Sequence, residues 1–262
     1  MPELPEAEYM VRRLEEYAGG AVIARTRVLR RGFPAPQRAA GRIVGFGRRA
    51  KNVLLHLESG NTLRVQLGMT GHIYWVPDAK RLPRFTRVVF ELAGGGGIVF
   101  EDSRVFGSIE LHPTARLDDV FAGYGPEPLD EGFRWQDLQG RAARLSLPVK
   151  QFLLDQSRVA GLGNIWAAEA LYGARIHPER PVRGLDDGEW RRLHGAIRRT
   201  LTRAIANTFR VTAGAADFPE ADLVRLSVYG RADEPCRRCR TPIVRTVQAG
   251  RATYFCSTCQ AL

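Results

Sequence analysis

The first residues of the chain could carry out chemistry at an aldehyde-level carbon. The sequence opens Met1-Pro2-Glu3-Leu4-Pro5-Glu6, and removal of Met1 would leave Pro2 with a free secondary amine. A free α-amine has a pKa of roughly 7.7–8.0, against about 10.4 for lysine, so more of it is unprotonated at neutral pH. Because a secondary amine readily forms an iminium with such a carbon, Pro2 is a candidate nucleophile.

Two carboxylates accompany this amine. Glu3 and Glu6 are three residues apart and therefore lie near one face of a first helical turn. One carboxyl group could donate a proton to a leaving group while the other accepts or positions one. The alternative is ordinary helix-start chemistry, in which proline and glutamate are both common. The local residues leave both interpretations open.

The cysteines indicate a structural metal site. The two pairs Cys236-x2-Cys239 and Cys256-x2-Cys259 are separated by 16 residues, a spacing typical of zinc sites. Four thiolates close a tetrahedral shell and leave no position for a reactive water, so the predicted zinc ion is structural. Two disulfides are the alternative, and the acidic N-terminal segment is unlike the export signal that they would require.

A β-hairpin is predicted between the cysteine pairs. Residues 243–247 and 252–255 have strand composition, and 248–251 supplies the turn. Arginines surround this finger, which is therefore expected to touch a phosphate backbone; they are Arg237, Arg238, Arg240, Arg245 and Arg251.

A glycine-containing connection joins two predicted helices at 151–158 and 164–172. The connection is Val159-Ala160-Gly161-Leu162-Gly163, whose glycines predict a sharp turn with positive φ. Asn164 begins the second helix, where backbone N–H groups favour an anion such as a DNA phosphate. A helix hairpin with an ordinary Asn N-cap is the alternative.

The net charge favours a polyanionic partner. The chain of 262 residues has 39 Lys+Arg against 28 Asp+Glu, a formal charge of +11 and a pI of about 10.1. Only three of the basic residues are lysines, Lys51, Lys80 and Lys150, which are either positions that need a compact ammonium or compositional leftovers. Apolar runs are too short for a membrane span, so we expect a cytoplasmic protein.

Predicted elements change in type along the chain. A helix is expected over 3–18, ended by Gly19-Gly20, and a later helix has an apolar stripe running from Trp190 to Ile205. Strands at regular spacing between them predict a β-sandwich or barrel, and the predicted boundary before the helical part lies near 115–148. The predicted strands are 22–29, 42–46, 53–57, 62–67, 72–76, 87–92, 98–101 and 108–111.

Six motifs occur in one order and resemble the formamidopyrimidine-DNA glycosylase/endonuclease VIII family of base-excision repair enzymes. They are the N-terminal Met1–Glu6 segment, Arg49-Ala50-Lys51, the block 66–71 (Gln-Leu-Gly-Met-Thr-Gly), the block 102–107 (Asp-Ser-Arg-Val-Phe-Gly), Gly161-Leu162-Gly163-Asn164 and the four-cysteine finger. Each motif except the cysteines is weak alone, but six in order over the whole chain are specific.

The resemblance implies an α+β fold with four parts. These are an N-terminal catalytic β-sandwich domain with a leading α-helix (1–115), a linker and start of the helical domain (116–148), a helix–two-turn–helix DNA-binding domain (149–230) and a β-hairpin zinc finger (231–262). It also implies a monomer that acts on double-stranded DNA containing damaged bases or abasic sites, away from membranes, in the bacterial cytoplasm at the nucleoid.

The resemblance assigns roles to matching positions. Pro2 resembles the nucleophile that displaces the damaged base and forms a Schiff base, Glu3 the general acid/base and Glu6 a supporting carboxylate. Lys51 matches a hairpin lysine that contacts a phosphate beside the lesion. The residues implied to fill the gap left by a flipped nucleotide are Met69, Arg104 and Phe106, and those implied to contact phosphates are Asn164 and Arg251.

Departures from the family pattern bear on lesion choice. Val105 replaces a second arginine, Gln66 replaces a histidine, and Phe85-Thr86-Arg87-Val88 lacks a His-Asp-His run. The segment 210–226, where a lesion-covering loop is expected, is rich in alanine. Oxidised purines such as 8-oxoguanine and formamidopyrimidines are the first expectation, oxidised pyrimidines or hydantoins the second, and a non-catalytic zinc protein that binds damaged DNA the alternative of another class.

Overall fold

Eight short antiparallel strands form the first part of the computed structural model, which describes residues 1–212 and 225–262. Their order in the sheet is β5-β7-β6-β1-β2-β3-β4-β8. The strands are β1 Val22–Val28, β2 Gly41–Arg49, β3 Asn52–Leu57, β4 Asn61–Gln66, β5 Gly71–Val76, β6 Thr86–Leu92, β7 Gly97–Asp102 and β8 Ser108–Pro113. Each predicted strand is present, and no end differs from the prediction by more than three residues.

The sheet consists of two four-stranded halves that enclose one core. Only the Val22–Arg42 and Ile23–Gly41 pairs join β1 to β2, whereas the other neighbouring strands pair over most of their length. Apolar side chains from both halves belong to the same buried cluster, as in a sandwich. The predicted α+β fold with an N-terminal sandwich is confirmed.

The N-terminal helix α1 (Leu4–Ala18) closes this core. Its buried residues Ala7, Met10, Leu14 and Ala18 recur every three or four positions and pack into the cluster formed by the sheet. The helix ends before Gly19, as predicted. Since the core fixes the axis of α1, it also fixes where the first turn and its carboxylates lie.

Helices follow the sheet: α2 (Leu117–Val120), α3 (Trp135–Ala142), α4 (Val149–Leu154), α5 (Asn164–Ala174) and α6 (Asp187–Val211). The predicted apolar stripe of α6 is buried throughout, at Trp190, Leu193, Ile197, Leu201 and Ile205. None of the helices in the described ranges is long and apolar enough to cross a membrane.

The helix predicted over 151–158 has the wrong bounds, since α4 covers Val149–Leu154. It begins directly after Pro148, a residue suited to a helix start. It stops because the Asp155 carboxylate accepts hydrogen bonds from the backbone N–H (2.9 Å) and hydroxyl (2.6 Å) of Ser157, which form a turn instead.

The zinc-finger hairpin packs against α5. Its strands are β9 (Val244–Gln248) and β10 (Arg251–Phe255), and the turn between them has positive φ at Ala249 and Gly250, as tight hairpin turns require. Ala168 and Tyr172 of α5 share a buried cluster with Cys236 and Cys256. The finger and α5 therefore have a common core.

The chain divides into two units. One comprises Met1–Ala122 together with the described residues 208–212, and the other comprises Gly123–Asn207 together with 225–262. Of the segment 210–226, where a lesion-covering loop is expected, residues 213–224 lie outside the described part of the chain.

Candidate active site and nucleic-acid interface

Two carboxylates are buried at the start of α1, directly after Pro2. Glu3 is 1% exposed and Glu6 is 3% exposed, and Pro2 is itself buried. The backbone N–H of Glu3 donates to Oε2 of Glu6 at 2.9 Å, and the two residues form a capping box. The helix start thus fixes both buried carboxyl groups in the turn that directly follows Pro2. A nucleophile at Pro2 would require an acid and a base of this kind.

A histidine that sequence reasoning missed belongs to the same neighbourhood. His72 lies on β5, one residue after the 66–71 block, and pairs with Glu101 of β7. Burial, and then the positive charge of the Met1 α-amine, lower its pKa to about 4, while Asp102 opposes this shift. His72 is therefore neutral at neutral pH. Its position beside a recognisable motif was the available signal.

Lys51 lies at the tip of the β2–β3 hairpin. Ala50 has a φ of 54°, and its carbonyl accepts a hydrogen bond from Arg48 at 2.9 Å. The Asn52 side-chain amide donates to the carbonyl of Arg49 at 3.0 Å. These contacts stabilise the turn that carries Lys51.

Met69 and Phe106 are exposed apolar side chains on two loops that touch. Met69 is 38% exposed and Phe106 is 57% exposed, and the Arg104 guanidinium lies 4.9 Å from the ring centroid of Phe106. Gly68 has a φ of 62°, and a Cβ there would lie 2.7 Å from the Phe106 carbonyl carbon, so only glycine allows this approach. The structure thus brings the three predicted gap-filling residues onto neighbouring loops.

The carboxylate of Asp102 holds these loops together. It is fully buried and accepts hydrogen bonds from the Thr70 hydroxyl and from the backbone N–H groups of Arg104 (3.2 Å) and Gly107 (2.8 Å). Between them, Val105 has a φ of 61°, a strained conformation for a β-branched residue. The Asp102 contacts are what keep this strained loop in place.

Asn164 is the first helical residue of α5, and Gly163 is the N-cap, so the Asn N-cap alternative is wrong. Gly161 has the expected positive φ of 84°, whereas Gly163 is extended at −128°. The Asn164 side-chain amide donates to the carbonyl of Ala252 at 2.9 Å. Its Oδ1 is buried and has no hydrogen-bond partner in the described part of the chain.

Arg251 is exposed at the start of β10, and the carbonyl of the next residue, Ala252, accepts hydrogen bonds from two helices. The Ala252 carbonyl accepts from Asn164 of α5 and from the ammonium of Lys150 on α4, at 3.1 Å. Lys150 is 1% exposed and also donates to the Thr253 hydroxyl at 2.6 Å. The hairpin that carries Arg251 is therefore tied to both helices of the predicted helix pair.

Tyr229 is a second residue that the sequence reasoning missed. Its hydroxyl lies 3.4 Å from the Asn164 amide, and its ring lies 5.0 Å from that of Tyr254. The Glu169 carboxylate, 4% exposed, accepts from the backbone N–H groups of residues 227–229 and holds this segment against α5. Tyr229 thus places a further hydrogen-bonding group beside Asn164.

The four cysteine sulfurs form a cluster suited to one metal ion. All lie within 4.8 Å of one another, with Cys236 and Cys259 at 3.9 Å and Cys239 and Cys256 at 3.4 Å. These distances exclude disulfides and are near the spacing of about 3.8 Å expected around a tetrahedral zinc ion with four thiolates. The site is positioned to bind one zinc ion.

The cysteine thiols of the cluster differ in how readily they ionise. Burial opposes ionisation of Cys236, but hydrogen bonds from the Tyr172 hydroxyl and from backbone N–H groups outweigh it and lower the pKa to about 6. Burial and the neighbouring cysteines raise the pKa of Cys259 to about 12. A divalent cation supplies the charge that allows all four to ionise.

Three family profiles match the chain. One is described as the formamidopyrimidine-DNA glycosylase N-terminal domain (residues 1–109), one as the H2TH domain of that glycosylase (124–213) and one as a zinc finger found in FPG and IleRS (233–262).

Proteins similar to this chain over almost their whole length are named formamidopyrimidine-DNA glycosylase. The formamidopyrimidine-DNA glycosylase of Gloeobacter violaceus is 40% identical over 99% of this chain and 98% of that protein. That of Novosphingobium aromaticivorans is 41% identical over 99% and 100%. Crystal structures of Lactococcus lactis FPG, a variant with DNA containing Fapy-dG and the wild type with DNA containing an oxidised pyrimidine, are each 29% identical, with TM-scores of 0.91 and complete coverage of both chains.

The chain contains, in order, the N-terminal sandwich, the helical part and the zinc finger, and each matches a domain of the same kind of enzyme. This arrangement is that of a DNA glycosylase for damaged DNA that carries a zinc finger. The chain belongs to the formamidopyrimidine-DNA glycosylase family and is an enzyme.

Zinc removal should disrupt the finger selectively. We expect one zinc ion per chain by elemental analysis, and almost none in Cys256→Ser, because three thiolates leave the shell incomplete. Hydrogen exchange should then lose protection in β9 and β10 but not in the sheet of the first unit. Ser257→Ala, an exposed neighbour, is the control. Full zinc content in Cys256→Ser would contradict the four-ligand site.

Asp102→Asn should loosen the loop that carries Arg104 and Phe106. The asparagine amide keeps the shape of the carboxylate, but its NH2 group would face the N–H and hydroxyl donors that the carboxylate now accepts from. The free energy of unfolding should therefore fall by about 1–3 kcal/mol. Urea unfolding measures the loss, and hydrogen exchange should rise within residues 103–107. Asp118→Asn, at an exposed carboxylate of α2, should change neither quantity. Equal effects of the two substitutions would refute the role of Asp102.

Proposed function

We propose that the chain is a bifunctional glycosylase and abasic-site lyase that removes oxidised bases from duplex DNA through Pro2. The observation that carries this proposal is the burial of Glu3 and Glu6 beside Pro2 at the start of α1, in a chain of this family. The proposal requires that Met1 be removed, since the nitrogen of Pro2 is an amide while Met1 is attached.

The chemistry balances without a redox cofactor. The Pro2 amine attacks C1′ of the damaged nucleotide, the bond to the base breaks, and the departing base takes a proton from Glu3. Transfer of the amine proton to O4′ as the C1′–O4′ bond breaks opens the sugar ring and gives an iminium between Pro2 and C1′. Removal of a C2′ proton then expels the 3′ phosphate, and removal of the C4′ proton expels the 5′ phosphate. Water finally hydrolyses the iminium and releases Pro2.

The remaining site residues would hold and open the DNA. Lys51, Asn164 and Arg251 supply cationic or polar contacts for phosphates. Met69 and Phe106 are suited to occupy the space that a flipped nucleotide leaves, and Arg104 to bond the orphaned base. In this proposal residues 1–115 are the catalytic domain, 116–148 the linker, and 149–230 with 231–262 the DNA-binding part.

Oxidised purines are the proposed lesions because Met69, Arg104 and Phe106 are all present. Oxidised pyrimidines or hydantoins are the second candidate, favoured by the departures at Gln66, Phe85 and Val105. Solved structures of Lactococcus lactis FPG include DNA with either Fapy-dG or an oxidised pyrimidine. A non-catalytic sensor is disfavoured because the Pro2–Glu3 pair is intact.

Borohydride should trap the protein on DNA. Reduction of the iminium should crosslink processed protein to a duplex with an abasic site, and Pro2→Gly or protein with Met1 retained should lose at least about 90% of the product, because each removes the secondary amine. Denaturing electrophoresis measures the product. Lys80→Ala, which removes an exposed lysine amine, is the control. Undiminished crosslinking without the Pro2 amine would sink the proposal.

A lesion panel should rank the substrates. Under single-turnover conditions, 8-oxoguanine and formamidopyrimidine should be excised about tenfold faster than thymine glycol or hydantoins, a barrier difference of about 1.4 kcal/mol. The released base is measured over time, and an undamaged duplex serves as the control. The reverse order would replace the first lesion class by the second and leave the Pro2 mechanism intact.

A further inference from the structure

An exposed phenylalanine in the first unit has no part in the mechanism above. Phe85 is 38% exposed, just before β6, and two guanidinium groups lie over its ring. The Cζ atoms of Arg84 and Arg87 are 5.3 Å and 5.9 Å from the ring centroid. These cation–π contacts hold the ring between two positive charges, and the side chain still keeps 38% of its surface exposed.

Hydrogen bonds fix Phe85 to the loop that carries Arg104 and Phe106. The carbonyl of Phe85 accepts from the backbone N–H of Asp102 at 3.0 Å. The Arg87 guanidinium donates to the carbonyls of Asp102 (2.6 Å) and Ser103 (3.3 Å). Phe85 therefore belongs to the same rigid body as the residues proposed to enter the duplex.

The turn before Phe85 is equally constrained. The backbone N–H and the hydroxyl of Thr86 both donate to the carbonyl of Pro83, at 3.1 Å and 2.8 Å. Thr86 is buried, whereas Phe85 beside it is exposed. An aromatic ring held in solvent by a tight turn loses little entropy when it binds a flat partner.

We infer that Phe85 is a stacking site for an unpaired nucleobase next to the position vacated by the flipped nucleotide. This inference rests on the proposed function, which supplies the opened duplex. The ring offers a π face and no hydrogen-bonding group, so it suits a base and not a phosphate. Arg84, exposed beside it, supplies the positive charge that a DNA strand requires.

The base that stacks on Phe85 is expected to be one beside the gap in the DNA. When a nucleotide leaves the stack, the bases around the gap lose a neighbour, and a base that Met69 and Phe106 do not cover exposes a face. Phe85 lies on the same rigid body and can replace that neighbour. Stacking tolerates any base, so the site would add affinity for opened DNA and would not select the lesion.

The test pairs substitutions in the protein with removal of single bases from the DNA. Duplexes carry tetrahydrofuran at the lesion position, and in a second series each flanking or opposite nucleotide is also replaced by tetrahydrofuran. Phe85→Ala and Phe85→Leu should bind the first duplex roughly 5- to 100-fold more weakly than wild type, since leucine keeps apolar bulk but has no π face. Fluorescence anisotropy gives each Kd.

One base position should abolish this difference. Where the base that stacks on Phe85 is missing, wild type and Phe85→Ala should bind within about twofold of each other, because the two changes remove the same contact. Leu111→Ala, a substitution on β8 of a side chain with similar exposure (40%), should match wild type on every duplex.

Several results would overturn the inference. They are wild-type affinity in Phe85→Ala, wild-type affinity in Phe85→Leu, or an affinity loss that persists whichever base is removed, as contact with a sugar or with the DNA backbone would give. Borohydride crosslinking of wild-type protein to a natural abasic site decides the proposed function separately. Crosslinking without any contrast at Phe85 would leave the enzyme mechanism standing and remove only the stacking site.

Discussion

The buried carboxylate of Asp102 is the interaction on which the surface of the first unit depends. A fully buried carboxylate without partners would cost several kcal/mol, so the loops on either side must bring donors to it. The Thr70 hydroxyl comes from one loop, and the backbone N–H groups around Arg104 come from the other. The backbone of Asp102 also bonds to Phe85. The carboxylate thus holds together the loops that carry Met69, Arg104 and Phe106, and the backbone of the same residue joins Phe85 to them.

In the second unit, a backbone carbonyl joins separate elements as the Asp102 carboxylate does in the first. Ala252 follows Arg251 in β10, and its oxygen accepts from both Lys150 and Asn164. Because a buried ammonium requires hydrogen-bond partners, the contacts of Lys150 with Ala252 and Thr253 fix the hairpin to α4. A zinc ion alone would order the finger without setting its position on the helices. The lysine and the asparagine together set where Arg251 lies.

Features that depend on local spacing could be predicted from the sequence. The strands are short runs at regular spacing with glycine-containing turns between some of them, the α6 stripe repeats every three or four residues, and two Cys-x2-Cys pairs specify a metal site. The predicted bounds of α4 were wrong because a turn made by Asp155 and Ser157 competes with the helix. Periodicity does not reveal such a turn, and the available signal was the residue types themselves, since Asp and Ser favour turns over helix interiors.

Features that depend on long-range contacts could not be predicted in this way. Asp102 reads as one residue of a motif, and only the fold shows that its carboxylate joins two loops separated in sequence by about 30 residues. The three lysines illustrate the same limit. Scarcity marked all of them equally, yet Lys51 lies at a hairpin tip, Lys150 is buried in a hydrogen-bonded contact, and Lys80 is simply exposed. Composition can show that a charge is unusual, but what an ammonium does follows from burial and partners, which only the fold supplies.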